Sequence, residues 1–398
     1  MIYSSGMNLF HKTFKTSLYL IGLFVLAIVA LREEFNDGKR DRFWDMSATL
    51  RRWPDCYDTW GIKTFMYETE NISNQGQCSR MNYGIFTMPL YRVMSMISKN
   101  EVIWTVGLSV LTLVLILYIV GNSPIIHLFG LFIIISPPFT LLFESGNPDV
   151  LNIVLCLVAG IAIYRKWTLT FLFSTSAIAL HKYYGLAAWA VIPLSYFKVN
   201  KLKSMLATTF ILGTISVIGY QVFVMGLYQF SDAASNHYGI TIWDNYLRKL
   251  GFEVPEVLVQ FVAIASLILI WAYIWQRHSI KFEVRRKLRL SETSALIFYL
   301  VFIFSYLTTS NVDYRLAFLG VGVILDFTHF TTKSFYNRLA LLLIFASLFL
   351  VYQVGYSEIF SGFPIQVLGD VALHLLVIYL GVRSMSLIKQ VKIDQKTV

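Results

Sequence analysis

Apolar runs recur along this chain, and the short loops between them fall into two kinds by the sign of their charge. One set carries the cations: Lys12 and Lys15; Arg165 and Lys166; Lys198, Lys201 and Lys203; the run from Arg277 to Arg289; Lys333 and Arg338; and the tail from Arg383 to Lys396. The alternate set, with the long first loop set aside, has only Lys182, Arg248, Lys249 and Arg315 as cations, but it holds Glu144, Asp149, Asp232, Asp244, Glu253, Glu256, Asp313 and Glu358. Basic short loops stay on the cytoplasmic side of a membrane, next to anionic head groups. The pattern therefore predicts a bundle of spanning helices whose acidic loops face outward. Glu283, Glu292, Asp326 and Asp394 are the acidic residues of the inner side, and Asp370 falls inside the last apolar run.

Composition carries the same message, because 56% of the 398 residues are hydrophobic, only 14% are charged and mean hydropathy is +0.61. That is more apolar surface than a soluble core needs. The expected fold is an all-α polytopic membrane protein, a single integral membrane domain with about twelve helices of roughly 16 to 22 residues. Their predicted centres are Phe24, Val110, Phe132, Cys156, Phe173, Ala190, Thr214, Ala265, Tyr299, Val321, Phe345 and Leu376. The predicted loops are outer ones over about 32–100 and about 228–256, a basic cytoplasmic loop over about 276–292 and a cytoplasmic tail over about 383–398. An even number of spans leaves both termini in the cytoplasm, and the bacterial inner (plasma) membrane is the expected location. The net charge of +10 is then contact with membrane lipid, not a sign of nucleic acid.

Thr16 to Leu31 has the apolar character of a signal peptide, but Arg32, Glu33 and Glu34 follow it where small residues would be needed for cleavage. It is predicted as the first span. Cys156 reads as a small apolar residue within a helix. Cys56 and Cys78 share the first outer loop, where an oxidising compartment allows a disulfide without requiring one.

Within that loop Phe43, Trp44, Met46, Leu50, Trp53 and Tyr57 recur at helical spacing with charges between them, which predicts an amphipathic helix on the membrane surface. A second is predicted from Tyr83 through Met88, Leu90, Tyr91 and Met94 to Ile97. Asp45 lies between Trp44 and Met46. A carboxylate beside aromatic surface at a lipid boundary is partly desolvated and so more basic, which suits a general base; a solvated charge or a helix cap is the alternative. Asp55 and Asp58 follow around Pro54, where capping is the default.

Three further clusters fall at predicted outer turns. After the prolines 137 and 138 comes Glu144-Ser145-Gly146-Asn147-Pro148-Asp149, a tight turn with Asp149 at a helix start, where its charge suits the dipole. The fifth and sixth predicted helices meet at His181-Lys182-Tyr183-Tyr184-Gly185, whose cationic and phenolic donors suit a phosphate or sugar oxygens, or an interfacial aromatic belt. The third is Thr308 to Arg315, in which Arg315 has either Asp313 or a ligand phosphate as its partner. His237, Tyr238, Trp243, Asp244, Asn245 and Tyr246 add aromatics interleaved with hydrogen-bonding groups. No His-Glu-x-x-His, Walker loop or dinucleotide fingerprint is present.

These features together resemble the C-type (GT-C) membrane glycosyltransferases, nearest to glycosyltransferase family 87, the polyprenyl-phosphate-mannose-type mannosyltransferases. The residues that carry the resemblance are Asp45 early in a long outer loop, the Gly146-Asn147-Pro148-Asp149 turn, Lys182 after the fifth helix, and the Asn311 to Arg315 cluster. The resemblance implies inverting transfer of a hexose from a polyprenyl-phosphate sugar to a glycan or glycolipid acceptor on the outer face. Asp45 would be the catalytic base. Arg315, Lys182 and His181 would bind the donor phosphate, and Glu144, Asn147, Asp149, Asp313, Tyr183, Trp44 and Asp58 would line the substrate site. A leaving monophosphate makes no metal or other cofactor necessary. The competing expectation is a lipid-linked oligosaccharide flippase, a transporter or a polysaccharide polymerase, for which Asp370 and Pro137-Pro138 are the most suitable features.

Overall fold

Asn100 illustrates how an apolar run becomes a helix in the computed structural model of this chain. Its Oδ1 accepts from the backbone N–H groups of Val102 (2.9 Å) and Ile103 (3.3 Å), and Glu101 adds negative charge at the positive end of the helix dipole. The residues the structure describes are 87–121, 123–144, 146–191, 201–225, 237–238, 242–252, 254–278, 288–308, 311–312, 316–332, 334–350 and 363–394, with Met46, Thr49, Leu50, Pro54 and Asp58. Asp45, Trp44, Asp313, Arg315, Cys56, Cys78 and the predicted span around Phe24 lie outside them.

In chain order the helices are α1 (Met88–Ile97), α2 (Glu101–Val120), α3 (Pro124–Ile134), α4 (Pro137–Glu144), α5 (Asp149–Tyr164), α6 (Thr168–His181), a 3₁₀ helix (Tyr183–Val191) and α7 (Lys201–Met225). After β1 (His237–Tyr238) come α8 (Ile242–Lys249), α9 (Glu256–His278) and α10 (Leu290–Thr308). Then follow β2 (Asn311–Val312), α11 (Leu316–Leu325), α12 (Phe327–Phe330), α13 (Phe335–Leu350) and α14 (Phe363–Asp394).

The faces of α2 explain why such a chain belongs in lipid. Thr105, Ser109 and Thr112 are buried with Leu108, Leu113, Ile116 and Ile119, while Val102, Ile103, Val106, Val110, Leu111 and Val114 point outward. Polar side chains inside and apolar ones outside is the reverse of a soluble helix. Among the described residues, three helices are long and apolar enough to cross a membrane: Glu101–Val120, Leu290–Leu307 and Val367–Ile388. A fourth exists if Ile125–Ile134 and Pro137–Phe143, bent by 64°, form one broken span. The break follows from Pro137 and Pro138, which supply no N–H and crowd the preceding turn.

Two expectations need correction. The helix predicted around Ala190 is a nine-residue 3₁₀ helix, and α3, α6 and α11 have 11, 14 and 10 residues, fewer than predicted. The 3₁₀ segment returns directly onto α6: a Cβ on Gly185 would lie 2.5 Å from the Ala179 nitrogen, and Trp189 Nε1 donates to Thr175 Oγ1 at 2.8 Å. A 3₁₀ coil is narrower than an α-helix and permits that approach. On α1, Leu90 is exposed where the predicted apolar face buries it, while Met88, Tyr91 and Met94 are buried. Its outer face of Leu90, Val93, Met96 and Ile97 is itself apolar, as a helix lying in lipid would be.

The chain divides into two compact units. The first (Tyr19–Gly121 and Thr140–Gln229) holds α1, α2, α5, α6, the 3₁₀ helix and α7; α5 packs against α2 and α6, and α6 against the 3₁₀ helix and α7. The second (Met1–Leu18, Asn122–Phe139 and Phe230–Val398) holds α3 and α8 to α14. There α14 packs on α9, α10 and α13, and α11, buried along its whole length, packs on α3, α10 and α13. Its β1 and β2 pair antiparallel, with His237 opposite Val312 and Tyr238 opposite Asn311, so the segment before α8 meets the segment after α10.

Candidate functional site

The Gly146–Asp149 turn is built by its own backbone. The Gly146 N–H donates to Phe143 O (3.1 Å) and the Asn147 N–H to Leu142 O (3.1 Å), with Gly146 at φ +60, which is a Schellman closure of α4. Buried Asn147 then accepts the Asp149 N–H on Oδ1 at 2.9 Å, and α5 starts with the Asp149 carboxylate at the positive end of its dipole.

From Asp149, which is fully buried, hydrogen bonds run across the first unit. Its Oδ1 accepts from Asn152 Nδ2 and from the Tyr184 hydroxyl, each at 2.8 Å, and Asn152 Nδ2 also donates to the Tyr184 oxygen at 2.8 Å. Asn152 Oδ1 lies 2.9 Å from His181 Nδ1, and His181 Nε2 lies 2.5 Å from the Tyr91 hydroxyl. The direction of each bond follows from the Asn152 amide, which donates through Nδ2 and accepts on Oδ1. Asn152 must turn its NH₂ toward Asp149, so its carbonyl faces His181 and Nδ1 carries the proton. Neutral His181 then accepts from Tyr91 on Nε2. One directed chain thus links the start of α5, the end of α6, the 3₁₀ helix and α1.

The predicted site residues divide sharply by place. Asn147, Asp149 and His181 are buried inside this network, and both ring nitrogens of His181 are engaged within the protein. Lys182 and Tyr183 are half-buried on the turn that the network holds; Lys182 stands at the C-terminus of α6, where a cation complements the helix dipole. Glu144 is the last residue of α4. Asp58 pairs instead with Arg92 of α1, and both side chains are largely exposed. Met46, Thr49 and Leu50, just after Asp45 in the chain, are fully buried and helical. Asn152 and Tyr91 escaped sequence reasoning, although Asn152 sits three residues after Asp149, on the same helix face. Among the described residues, no group of three His, Cys, Asp or Glu is placed to hold a metal ion.

Comparison of the chain with protein-family models, with curated proteins and with solved structures yields no match.

Proposed function

We propose that the protein is a C-type membrane glycosyltransferase of about twelve spans, transferring a hexose from a polyprenyl-phosphate sugar to a glycan or glycolipid acceptor on the outer face. What supports the reading above all is the Asp149–Asn152–His181–Tyr91 chain, which fastens two polar turns and the surface helix α1 together at helix ends. Rigid support of polar groups at that depth suits a substrate whose lipid tail stays in the bilayer while its head group is held at the interface. A transporter would call for such groups near mid-membrane.

In this mechanism Asp45 takes the proton of the acceptor hydroxyl as that oxygen attacks the anomeric carbon. The bond from that carbon to the phosphate oxygen breaks with its electron pair leaving on the phosphate. The configuration inverts, and Lys182 stabilises the departing charge. His181 acts by holding the Lys182 turn, since its own nitrogens are occupied. General-base assistance of this kind contributes about 10² to 10⁴ in rate.

The test uses purified protein in nanodiscs with synthetic polyprenyl-phosphate hexoses and a panel of glycan acceptors. Acceptor-dependent release of polyprenyl phosphate is expected, and Asp45→Asn should abolish it while expression and melting temperature hold. No release from any donor would leave the transporter or flippase reading, which buried Asp370 in a spanning helix and the broken α3–α4 pair favour.

A further inference from the structure

Asp370, in the second unit, belongs to none of the groups above. It lies three residues inside the apolar span Val367–Ile388, about 5 Å along the helix, and is 2% exposed. The Tyr246 hydroxyl donates to its Oδ2 in a short hydrogen bond. Its Oδ1 is buried and has no hydrogen-bond partner among the described residues. Burial, and then the Asp370 carboxylate, raise the Tyr246 phenol above its ordinary pKa, so Tyr246 keeps its proton and remains the donor.

Rings from three helices surround this carboxylate. Trp243 of α8 stands edge-on to Tyr246 (centroids 6.0 Å apart, 76°) and to His374 of α14 (5.5 Å, 89°), and Tyr306 of α10 lies 2.9 Å from His374 Nδ1 through its hydroxyl. The β1–β2 pairing ties the segment before α8 to the segment after α10. By the charge pattern of the loops, this end faces outward.

The chemistry of the set narrows its ligand. Among the described residues no Lys or Arg is bonded to this carboxylate, so a phosphate would meet there a negative charge without compensation. A metal would find one carboxylate and one imidazole, fewer than three ligands among the described residues. A pyranose presents hydroxyl donors at its rim and an apolar C–H face, which match an empty carboxylate oxygen beside aromatic rings. We propose that Asp370, Trp243, Tyr306 and His374 form a hexose-binding subsite, in which Asp370 Oδ1 accepts from a sugar hydroxyl and the ring face lies on an aromatic side chain. Its assignment to the acceptor rests on the transferase reading. The oxygen is sealed from solvent, so entry requires the two-turn helix α8 to shift.

Saturation-transfer NMR on the nanodisc protein, with methyl α-mannopyranoside, methyl α-glucopyranoside and methyl α-galactopyranoside as probes, tests the subsite without any turnover. Wild type should transfer saturation to the ring C–H protons of at least one probe. Asp370→Ala should weaken that affinity about tenfold or more, the loss expected for one hydrogen bond to a charged group. Trp243→Ala, placed on α8 and so a milder threat to folding, should do the same, and Trp243→Phe should keep part of it. No signal from wild type with any probe, or unchanged affinity in both alanine variants, overturns the subsite. Transfer assays separate this from the larger reading: Asp370→Ala should raise the acceptor KM while the donor KM stays as in wild type. Glycoside binding lost in the variants, with no polyprenyl phosphate released by wild type, would keep the subsite and remove the transferase.

Discussion

Helix α14 takes part in buried charge at two places, Arg383 and Asp370, and the two are built on opposite principles. At Arg383, Nε and Nη2 each donate to Asp326 at 2.8 Å, Glu292 stands 3.7 Å away, and the Tyr299 hydroxyl adds a bond to Asp326 at 3.3 Å, all of it buried. Thirteen residues earlier, about 20 Å along the helix, Asp370 has a phenol on one oxygen and, among the described residues, no cation bonded to it. The Arg383 end compensates its charge and ties α10, the turn after α11 and α14 into one block. Its three charged residues are those that the charge pattern assigns to the cytoplasmic side. The Asp370 end leaves a buried carboxylate oxygen without a hydrogen-bond partner among the described residues. Buried charge that is compensated within the protein holds helices together; buried charge that is not marks a place for something to bind.

Substitutions at the two ends should therefore differ in size. Arg383→Met is expected to have the largest effect, a loss of about 3–5 kcal/mol, because it removes the guanidinium that donates twice to the buried Asp326 carboxylate; thermal unfolding of the purified protein measures it. Asp370→Asn should move stability by less than about 1 kcal/mol or raise it, since the carboxylate it replaces has no ionic partner among the described residues. Equal losses at the two ends would break the contrast.

The first unit sharpens the same point with neutral partners. His181→Ala should cost about 2 kcal/mol, because Asn152 and Tyr91 each lose a buried partner. Gly146→Ala should cost about 1 kcal/mol through its φ of +60 alone. Smallest of all, Arg92→Ala, which breaks the exposed pair with Asp58, should cost below about 1 kcal/mol and lose even that at high salt. A loss at Arg92 as large as that at His181 would mean that exposure does not govern these pairs.

Much of the helical layout was legible because it depends on local properties. The apolar runs around Val110, Cys156, Thr214, Ala265, Tyr299 and Leu376 all lie within helices, and Pro137-Pro138 marks the break where prolines must interrupt hydrogen bonding. The turn at Gly146–Asp149 was legible for the same reason. The 3₁₀ return after His181 was not, because it depends on how closely Gly185 approaches α6. Asn152 and Tyr91 were missed because each looks ordinary until its partner, 29 or 90 residues from His181, is known.

The sequence alone determined that this chain is helical and belongs in a membrane, because hydrophobicity, helix breaking and loop charge act through each residue and its near neighbours. Tertiary structure decided which polar groups face one another: Asp326 with Arg383, Asp370 with Tyr246, and His181 between Asn152 and Tyr91. A hydrogen bond is satisfied by geometry over a few ångströms, and only packing brings residues up to 124 positions apart within that reach.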